Sequence, residues 1–361
     1  MRTADLDFDL PPGLVATRPP AERDGGRLLV LDGDDLADAR ILDLPEHIPE
    51  GALVVVNDTR VLRARLLGKK VPTGGRVEVF LLEPLGHVDP VAPRARWKAL
   101  GRSSKPLRAG SRIQVDGGGL EILVVAGREG DATLEVELVS TSGGSLEEAI
   151  ETAGRVPLPP YVDREDDASD GERYQTVFAR RRGAVAAPTA GLHLSERLLE
   201  RMRARGVRVA SCTLHVGLGT FQPVAAPDLD AHPMHSERFE VSPELAAAVA
   251  DARDRGAPVL AIGTTSVRAL ESSADPDHPG RVRPTIGETR LLVQPGYHFR
   301  VVDALLTNFH LPRSTLLALV WAFGGTAEVR AAYAHAIREG YRFYSYGDAM
   351  LLRRRRPVEA T

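Results

Sequence analysis

The chain has 361 residues, 43% of them hydrophobic and 26% charged, and a net charge of −3. This is the composition of a soluble globular protein of about two domains, and it argues against a protein that is basic throughout. The single cysteine, Cys212, excludes an internal disulfide and is typical of a reducing compartment. The acidic N-terminus lacks an export signal, and every apolar run is too short to span a bilayer. We therefore expect a cytoplasmic protein with no membrane partner.

The first predicted strands cover residues 27–32 and 53–56, and the second is a wholly apolar run of the kind found in buried strands. It is followed directly by four polar residues, Asn57, Asp58, Thr59 and Arg60. Polar side chains at the end of a buried strand suit ligand binding, so we predict that these four bind substrate. An Asx-turn that only ends the strand is the alternative.

From residue 67 to about 140 the helical spacing disappears and alternating segments replace it. Strands are predicted at residues 76–81, 111–115, 120–126 and 133–139, with glycine-rich turns between several of them. Short strands at this spacing indicate a small antiparallel β-barrel. We therefore predict a mixed α/β domain made of residues 1–66 and 155–361. An inserted β-barrel domain of residues 67–154 interrupts it.

Two predicted strands, over residues 184–187 and 207–216, each end in a loop that carries a histidine. Ligands bind at the carboxyl ends of strands in α/β folds, and two such histidines favour function over a structural role. We predict seven site residues here: Thr189, Gly191, His193, His215, Gly217, Gly219 and Thr220. The two glycines after His215 are not a dinucleotide fingerprint, because the third glycine and the following helix are missing.

A buried strand over residues 258–262 runs into a loop of four predicted site residues, Gly263, Thr264, Thr265 and Ser266. A helix is predicted to begin at Val267, with Arg268 close to its start. Free N–H groups before a helix, together with three hydroxyls, suit an anion. Arg268 adds a guanidinium fork for a carboxylate or a phosphate. An ordinary capped helix is the alternative.

Two further segments carry candidate residues. His235 and Glu237 lie two positions apart at the start of a predicted strand, which places them on one face and suits proton transfer; a surface pair is the alternative. His232 lies close to them, but no thiolate or further ligand clusters there, so we predict no metal. The second segment contributes Asn308, Phe309, His310, Arg313 and Ser314. This mixture suits stacking on a base and reading its edge, with a core position for Phe309 as the alternative.

Between residues 180 and 208 there are eight arginines and two glutamates. Arginines near a helix C-terminus complement the helix dipole. Clustered guanidiniums also contact RNA phosphates and release counterions. The pattern is compatible with an RNA substrate and leaves both interpretations open.

Eight sequence blocks, spread over nearly the whole chain, form a series. In chain order they are VVNDTRVLRARL from Val55, PLPPYV from Pro157, APTAGLHL from Ala187, LHVGLGTFQPV from Leu214, MHSERFEV from Met234, AIGTTSVRALES from Ala261, LLTNFHLPRSTLL from Leu305 and YGDAMLL from Tyr346. This series resembles the S-adenosylmethionine:tRNA ribosyltransferase-isomerase family of queuosine biosynthesis. One block alone would be a weak signal, whereas eight in order are specific.

The resemblance implies a reaction between S-adenosylmethionine and a tRNA that carries 7-aminomethyl-7-deazaguanine at the wobble position. The ribosyl part of S-adenosylmethionine is transferred and isomerised, giving epoxyqueuosine-tRNA, adenine and methionine. S-adenosylmethionine is then a substrate, and neither a metal nor an external redox cofactor is required. We predict His215 and Glu237 for proton transfer, supported by His193 and His235, in a monomeric enzyme. The loop from Gly263 would bind the methionine carboxylate or an RNA phosphate.

A non-catalytic protein that binds structured RNA or a nucleotide is the main alternative, and a metal-dependent hydrolase is a weaker one. Polar residues at several strand ends favour an enzyme, because binding alone does not need them. The enzymatic interpretation expects the turns between Asn57 and Ser314 to meet in a single cleft, where the nucleoside lies beside an extruded base.

Overall fold

The computed structural model of the chain describes residues 1–86, 89, 91–127, 133–217 and 224–354. Within these ranges a nine-stranded mixed sheet is joined to a closed six-stranded antiparallel barrel, and two short strands pair separately. The predicted fold class, a mixed α/β domain with a small β-barrel, is confirmed. No helix in these ranges is long and apolar enough to cross a membrane.

The strands of the described residues are β1 (Arg27–Asp32), β2 (Asp35–Arg40), β3 (Leu53–Asn57), β4 (Thr59–Val61), β5 (Arg65–Val71), β6 (Arg76–Pro84), β7 (Arg94–Ser103), β8 (Arg112–Val115), β9 (Leu120–Gly127), β10 (Thr133–Ser140), β11 (Arg181–Ala184), β12 (Arg208–Leu214), β13 (Glu237–Val241), β14 (Val259–Ile262), β15 (Thr285–Thr289), β16 (Ala304–Asn308) and β17 (Ala349–Arg353). The α-helices are α1 (Leu44–His47), α2 (Leu146–Ala153), α3 (Asp170–Arg173), α4 (Glu196–Ala204), α5 (Pro243–Asp254), α6 (Thr264–Ser272), α7 (Thr315–Gly324) and α8 (Thr326–Arg338). Short 3₁₀ turns include Thr189–His193.

The large sheet has the strand order β15-β13-β12-β3-β14-β16-β17-β1-β2. Its four central strands, β12, β3, β14 and β16, are parallel to one another. Their carboxyl ends therefore lie along one edge of the sheet. This is the edge at which open α/β sheets bind their ligands.

The central strands are apolar because both of their faces are covered. All residues of β3 and β14 are buried. Alternate side chains of a strand point to opposite faces, so Leu53 and Val55 pack in one core with helices α5 to α8. Val54 and Val56 pack in a second core with α1 and α4. A continuous apolar run is the sequence signature of such a strand.

The barrel closes in the order β10-β7-β6-β5-β8-β9 and encloses its own apolar core. Helix α2 packs on this core through Leu146, Ala149 and Ile150, and it begins at a capping box formed by Ser145 and Glu148. The structure adds β5 and β7, which have no separate segment in the prediction, to the four predicted strands. The predicted domain boundaries at residues 67 and 154 stay a prediction.

Two local predictions are wrong in position. The strand predicted at residues 184–187 is β11, which ends at Ala184 because the amide of Val185 turns away to bond Val216 O at 3.0 Å. The helix predicted from Val267 begins three residues earlier, at Thr264. Gly263, with φ +85°, is its N-cap, so the predicted anion loop forms the first helical turn.

Candidate active site

A narrow cleft of about 60 Å³ opens at the carboxyl ends of β14 and β16. Val216, which follows β12, also lines it. Eight predicted site residues lie along its walls: Thr189, Gly263, Thr264, Thr265, Asn308, Phe309, His310 and Ser314. The structure thus brings together residues that are far apart in sequence, as the parallel strand order requires.

Asn57 fixes one wall of this cleft from behind. Its Nδ2 donates to Thr265 Oγ1 at 3.1 Å and to Leu214 O at 2.9 Å. Its Oδ1 accepts from the amides of Thr59 at 3.1 Å and Leu214 at 3.0 Å. These bonds use both donors and both acceptor positions of the amide. Asn57 therefore positions Thr265 and has no hydrogen-bonding group left for a ligand.

Asn308 connects the cleft to His193. Asn308 Oδ1 accepts from Thr189 Oγ1 at 2.9 Å, and its Nδ2 contacts His193 Nε2 at 3.0 Å and Tyr344 O at 3.1 Å. Since an amide nitrogen only donates, His193 Nε2 is the acceptor and its hydrogen is assigned to Nδ1. Burial, with a smaller contribution from Arg342, lowers the pKa of His193 to about 4. His193 lies behind the cleft and contacts it through Asn308.

His310 is also held by its surroundings. Its Nε2 lies 2.7 Å from Thr307 Oγ1, and its amide donates to the hydroxyl of Tyr333 at 2.9 Å. Burial lowers the pKa of His310 to about 3, so the ring is neutral near pH 7. Ser314 caps α7 by accepting from the amide of Leu317 at 3.2 Å.

The base-stacking prediction for Phe309 is wrong. The side chain is completely buried. Its ring packs against Tyr333, Tyr341 and Phe343 with centroid distances of 5.3, 5.6 and 5.0 Å. Those neighbours cover the ring, so Phe309 takes the core position that was the alternative prediction.

Tyr344, which the sequence analysis did not single out, is one of the aromatic side chains that line the cleft. It is half-buried, stands in the left-handed region at φ +73°, and packs 4.7 Å from the ring of Tyr161. A non-glycine residue held at positive φ is uncommon and clusters at functional sites. Nothing local in the sequence marks this conformation. The proximity of two tyrosines 183 positions apart depends on the fold.

Five predicted site residues do not line the cleft, and they do not come together in another site. Asp58 is buried and accepts from Thr213 Oγ1 at 2.7 Å, and Ser266 Oγ donates back to Ile262 O at 2.8 Å. A Cβ on Gly191 would meet Thr176 and Phe178 within 3 Å, so this glycine serves close packing. The other two lie towards the surface: Arg313 pairs with Asp7, and Arg60 sits on β4 opposite Arg182.

His215 lies in a different cavity, a wide groove between the barrel and the α/β domain. The groove has a volume of about 590 Å³. Leu62, Trp97 and the apolar face of α2 form its floor, and four arginines stand along it. They are Arg180, Arg181, Arg182 and Arg238.

The imidazole of His215 is fixed on two sides. Its Nδ1 lies 2.9 Å from Thr59 Oγ1, and its ring packs against the backbone of Gly183. Gly183 has φ +145°, and a Cβ there would stand 2.8 Å from two ring atoms. Burial lowers the pKa of His215 to about 4, with contributions from Arg238 and Arg181. The ring is therefore neutral near pH 7, and Nε2 is the nitrogen opposite the Thr59 contact.

Glu237 and Arg268 form a buried ion pair in a small third cavity. Glu237 also accepts from the amide of Gly217 at 3.2 Å, and Arg268 Nε donates to Leu291 O at 3.0 Å. Burial lowers the pKa of Arg268 to about 10. The guanidinium that was predicted to bind an anion thus has a carboxylate of the protein as its partner.

The prediction that His235 and Glu237 lie on one face of a strand is wrong, because β13 begins only at Glu237. His235 precedes the strand and is exposed, although it lines the same cavity as Glu237. The prediction that the turns between Asn57 and Ser314 meet in a single cleft is also wrong. His193, His215 and the pair of Glu237 with Arg268 occupy separate cavities at the same edge of the sheet. Gly219 and Thr220 lie outside the described residues.

A cleft at the carboxyl edge of a parallel sheet, with threonine, asparagine and histidine side chains among its apolar walls, is the active-site arrangement of α/β enzymes. A family model described as "Queuosine biosynthesis protein" matches residues 3–352. The chain therefore belongs to this family.

Curated relatives carry the name S-adenosylmethionine:tRNA ribosyltransferase-isomerase. The protein of Sorangium cellulosum is 58% identical over 98% of this chain and 99% of its own length. That of Anaeromyxobacter dehalogenans is 54% identical over 98% and 100%. The crystal structure of S-adenosylmethionine tRNA ribosyltransferase from Thermotoga maritima is 30% identical, covers 96% of this chain and 99% of that one, and has a TM-score of 0.53. The family resemblance seen in the eight blocks is confirmed.

Proposed function

We propose that this protein transfers and isomerises the ribosyl part of S-adenosylmethionine onto 7-aminomethyl-7-deazaguanine at the wobble position of tRNA. The products are epoxyqueuosine-tRNA, adenine and methionine. Membership of the family supports the reaction class. The observation that supports this reaction at this site is that a narrow cleft and an arginine-lined groove adjoin each other: Val216 lines the cleft, and the preceding residue, His215, lines the groove.

The cleft is the proposed site of the donor. Thr264 and Thr265 offer hydroxyls, and amides at the start of a helix have no partner within it, so the first turn of α6 suits the methionine carboxylate. An RNA phosphate has a better candidate in the groove arginines. The open volume of about 60 Å³ is smaller than a nucleoside, so the cleft must widen when the donor enters.

His215 is the proposed proton acceptor; it lines the groove, so the carbon beside the sulfonium must reach it from the adjoining donor cleft. A base with a lowered pKa is unprotonated near pH 7, and its position is set by Thr59 and Gly183. His193 and His235 stay supporting candidates, one behind the cleft and one at its neighbouring cavity. The reaction requires no metal and no external redox cofactor, because the donor supplies the ribosyl group and the leaving adenine.

Both carboxylate oxygens of Glu237 are held by the protein, since Oε2 pairs with Arg268 and Oε1 accepts from the amide of Gly217. Proton transfer by Glu237 would compete with these contacts. We therefore expect Glu237 to hold Gly217 and Arg268 in place, and a Glu237→Gln substitution distinguishes this role from proton transfer. A positioning role predicts partial activity, whereas an acid–base role predicts a loss of about 10²-fold or more.

The test is the release of adenine, measured by chromatography, from S-adenosylmethionine and a tRNA that carries the 7-aminomethyl-7-deazaguanine precursor. We expect release by the unsubstituted protein and loss of about 10²- to 10⁴-fold for His215→Ala. Near-normal turnover in both His215→Ala and Glu237→Gln would discard the residue assignment. Binding of tRNA without any adenine release by the unsubstituted protein would instead indicate a non-catalytic RNA-binding protein.

We also propose that the protein is a monomer of the cytoplasm, where its tRNA substrate is found. Exposed large apolar side chains of the described residues are scattered over the barrel and the edge strand β15, as Val71, Leu85, Val91 and Ile286. Scattered apolar residues do not form the contiguous patch that a stable dimer needs. Light scattering at micromolar concentration should give the mass of one chain.

A further inference from the structure

We propose that the groove between the barrel and the α/β domain binds the anticodon-loop nucleotides of the RNA acceptor. The acceptor base lies over the apolar floor, and neighbouring phosphates contact Arg180 and Arg238. The choice of RNA as the occupant rests on the proposed function. The location rests on the charges, the floor and the position of the groove.

The structure separates the arginines between residues 180 and 208 into two groups. Four of the five that follow β11 are held by carboxylates on the outside of the α/β domain. These pairs are Arg197 with Asp24, Arg201 with Glu46, Arg205 with Glu50 and Arg208 with Asp251. The three that precede Gly183 all line the groove. The first group is accounted for by the protein itself, and the second faces an open cavity.

Arg180 and Arg238 are exposed and have no carboxylate within 4 Å among the described residues. Arg181 lies 3.5 Å from Glu240, and Arg182 pairs with Glu147. Unpaired guanidiniums keep their full electrostatic attraction for phosphate and bind it through two parallel hydrogen bonds. Arg180 and Arg238 are therefore the strongest phosphate ligands of the groove.

The carboxylates of the groove are already engaged. Glu147 pairs with Arg182, and Glu151 lies 3.3 Å from Arg63. Asp89 accepts from the amide of Val91 at 3.0 Å, as in an Asx-turn. Asp89 has no cationic partner among the described residues, so two unpaired arginines stand against one unpaired carboxylate, and this excess of positive charge favours an anionic ligand over a cationic one.

The floor has the chemistry of a base-binding surface. Leu62, Trp97, Leu146 and Ile150 present apolar atoms between the arginines. Trp97 is 6% exposed, and its indole Nε1 has no hydrogen-bond partner among the described residues. A buried N–H without an acceptor is uncommon, and because this one is shielded from solvent, the ring must shift before a ligand in the groove can supply an acceptor. An acidic peptide would match the arginines but not this apolar floor, whereas an unstacked nucleotide matches both.

The position of the groove fits an acceptor site. His215 lines the groove, and the next residue, Val216, lines the donor cleft. Consecutive side chains of an extended segment point in opposite directions. The segment after β12 therefore separates the two cavities, and an acceptor base in the groove lies beside the proposed proton acceptor.

The test is a salt titration of binding between the full-length protein and an unmodified anticodon stem-loop RNA. The variants are Arg180→Ala, Arg238→Ala and the double substitution. Arg201→Ala and Arg208→Ala are matched controls, because each removes an exposed arginine that already has a carboxylate partner. Circular dichroism and the thermal midpoint establish that every variant is folded. Direct binding of S-adenosylmethionine, measured by calorimetry, reports on the donor cleft.

We expect the double variant to bind RNA more weakly at every salt concentration. Its slope of log K against log salt should be smaller by about 1.4, since each of the two lost single-strand phosphate contacts contributes about 0.7. The controls should keep the slope of the unsubstituted protein, and donor binding should not change. Trp97→Phe, which keeps a ring but removes the indole N–H, should weaken RNA binding several-fold at constant slope.

An unchanged slope and affinity for the double variant would overturn the assignment of the groove. The same holds if the controls lose as much slope as the double variant. Adenine release is a separate readout: RNA binding that depends on Arg180 and Arg238 without adenine release would preserve the groove site and contradict the proposed reaction.

Discussion

The cleft and the groove differ in how much of their hydrogen-bonding capacity the protein itself uses. In the cleft, Asn57 and Asn308 bond to neighbouring protein groups, and the open volume is about 60 Å³. In the groove, Arg180 and Arg238 have no carboxylate partner among the described residues, and the volume is about 590 Å³. Polar side chains that are already fixed in place suit a small ligand whose orientation decides the chemistry, although the cleft itself must widen to admit it. An open basic groove suits a polymer whose affinity comes from its phosphates.

The largest expected effect concerns the small third cavity, where the protein, as in the cleft, already uses the polar groups. Arg268→Ala leaves the buried carboxylate of Glu237 without its cation, and such a loss costs about 3–5 kcal/mol. Arg180→Ala in the groove removes an exposed, unpaired side chain and should change the free energy of unfolding by less than about 0.5 kcal/mol. Urea unfolding measures both. Equal effects would remove the distinction between a preorganised and an open site.

Gly183→Ala tests whether the position of His215 matters. A Cβ at this glycine would come 2.8 Å from the imidazole ring, so the ring must move. Displacement of a reacting group by about 1 Å lowers kcat by about 10²-fold. Gly13→Ala is the matched control, because a Cβ there meets nothing within 4 Å. A normal kcat for Gly183→Ala would show that the packing of the ring has no role.

Substitution of Tyr344 tests the proposed donor site in the cleft. Its half-buried ring lines the cleft, and loss of a base–aromatic stack costs about 1–3 kcal/mol. Tyr344→Ala should therefore raise the KM for S-adenosylmethionine by about 10-fold or more. Tyr344→Phe keeps the ring and should stay close to the unsubstituted protein. If both variants show the same small change, adenine does not stack on this side chain.

The smallest expected effect is a shift in pH dependence. Arg238 lowers the pKa of His215, which is about 4, because its charge disfavours the imidazolium. Removing that charge with Arg238→Gln should raise the pKa. The neutral form is required, so activity falls as pH drops through the pKa, and the acid limb of kcat/KM should move to higher pH. NMR titration of the imidazole gives the pKa directly, and an unshifted titration would contradict this coupling.

The elements that the sequence predicted well are those with strong local signals. The apolar runs of β3 and β14, predicted as buried strands over residues 53–56 and 258–262, are confirmed. Each depends on residues within a few positions of one another. The order of the parallel strands then brings Thr265 and Asn308 to the same cleft, as the strand-end argument expects.

The division into separate cavities was not predictable from the sequence. Whether a side chain enters the cleft or the groove depends on the direction of the chain at the end of β12, which separates His215 from Val216. The partner of Arg268 is Glu237, 31 positions away, and no spacing rule identifies it. Trp97 and Arg180 face the same groove from different domains, so only the packed fold relates them.

Photo-crosslinking of the wobble nucleotide tests the central claim most directly, because it reports which cavity receives the acceptor. An anticodon stem-loop RNA with a photoreactive thiopyrimidine at the wobble position is irradiated with the unsubstituted protein, and the linked peptide is identified by mass spectrometry. Linkage to Trp97 or to residues 180–183 is the predicted result. Linkage to Tyr344 in the cleft, or to a surface outside the groove, would contradict the separation of donor and acceptor sites.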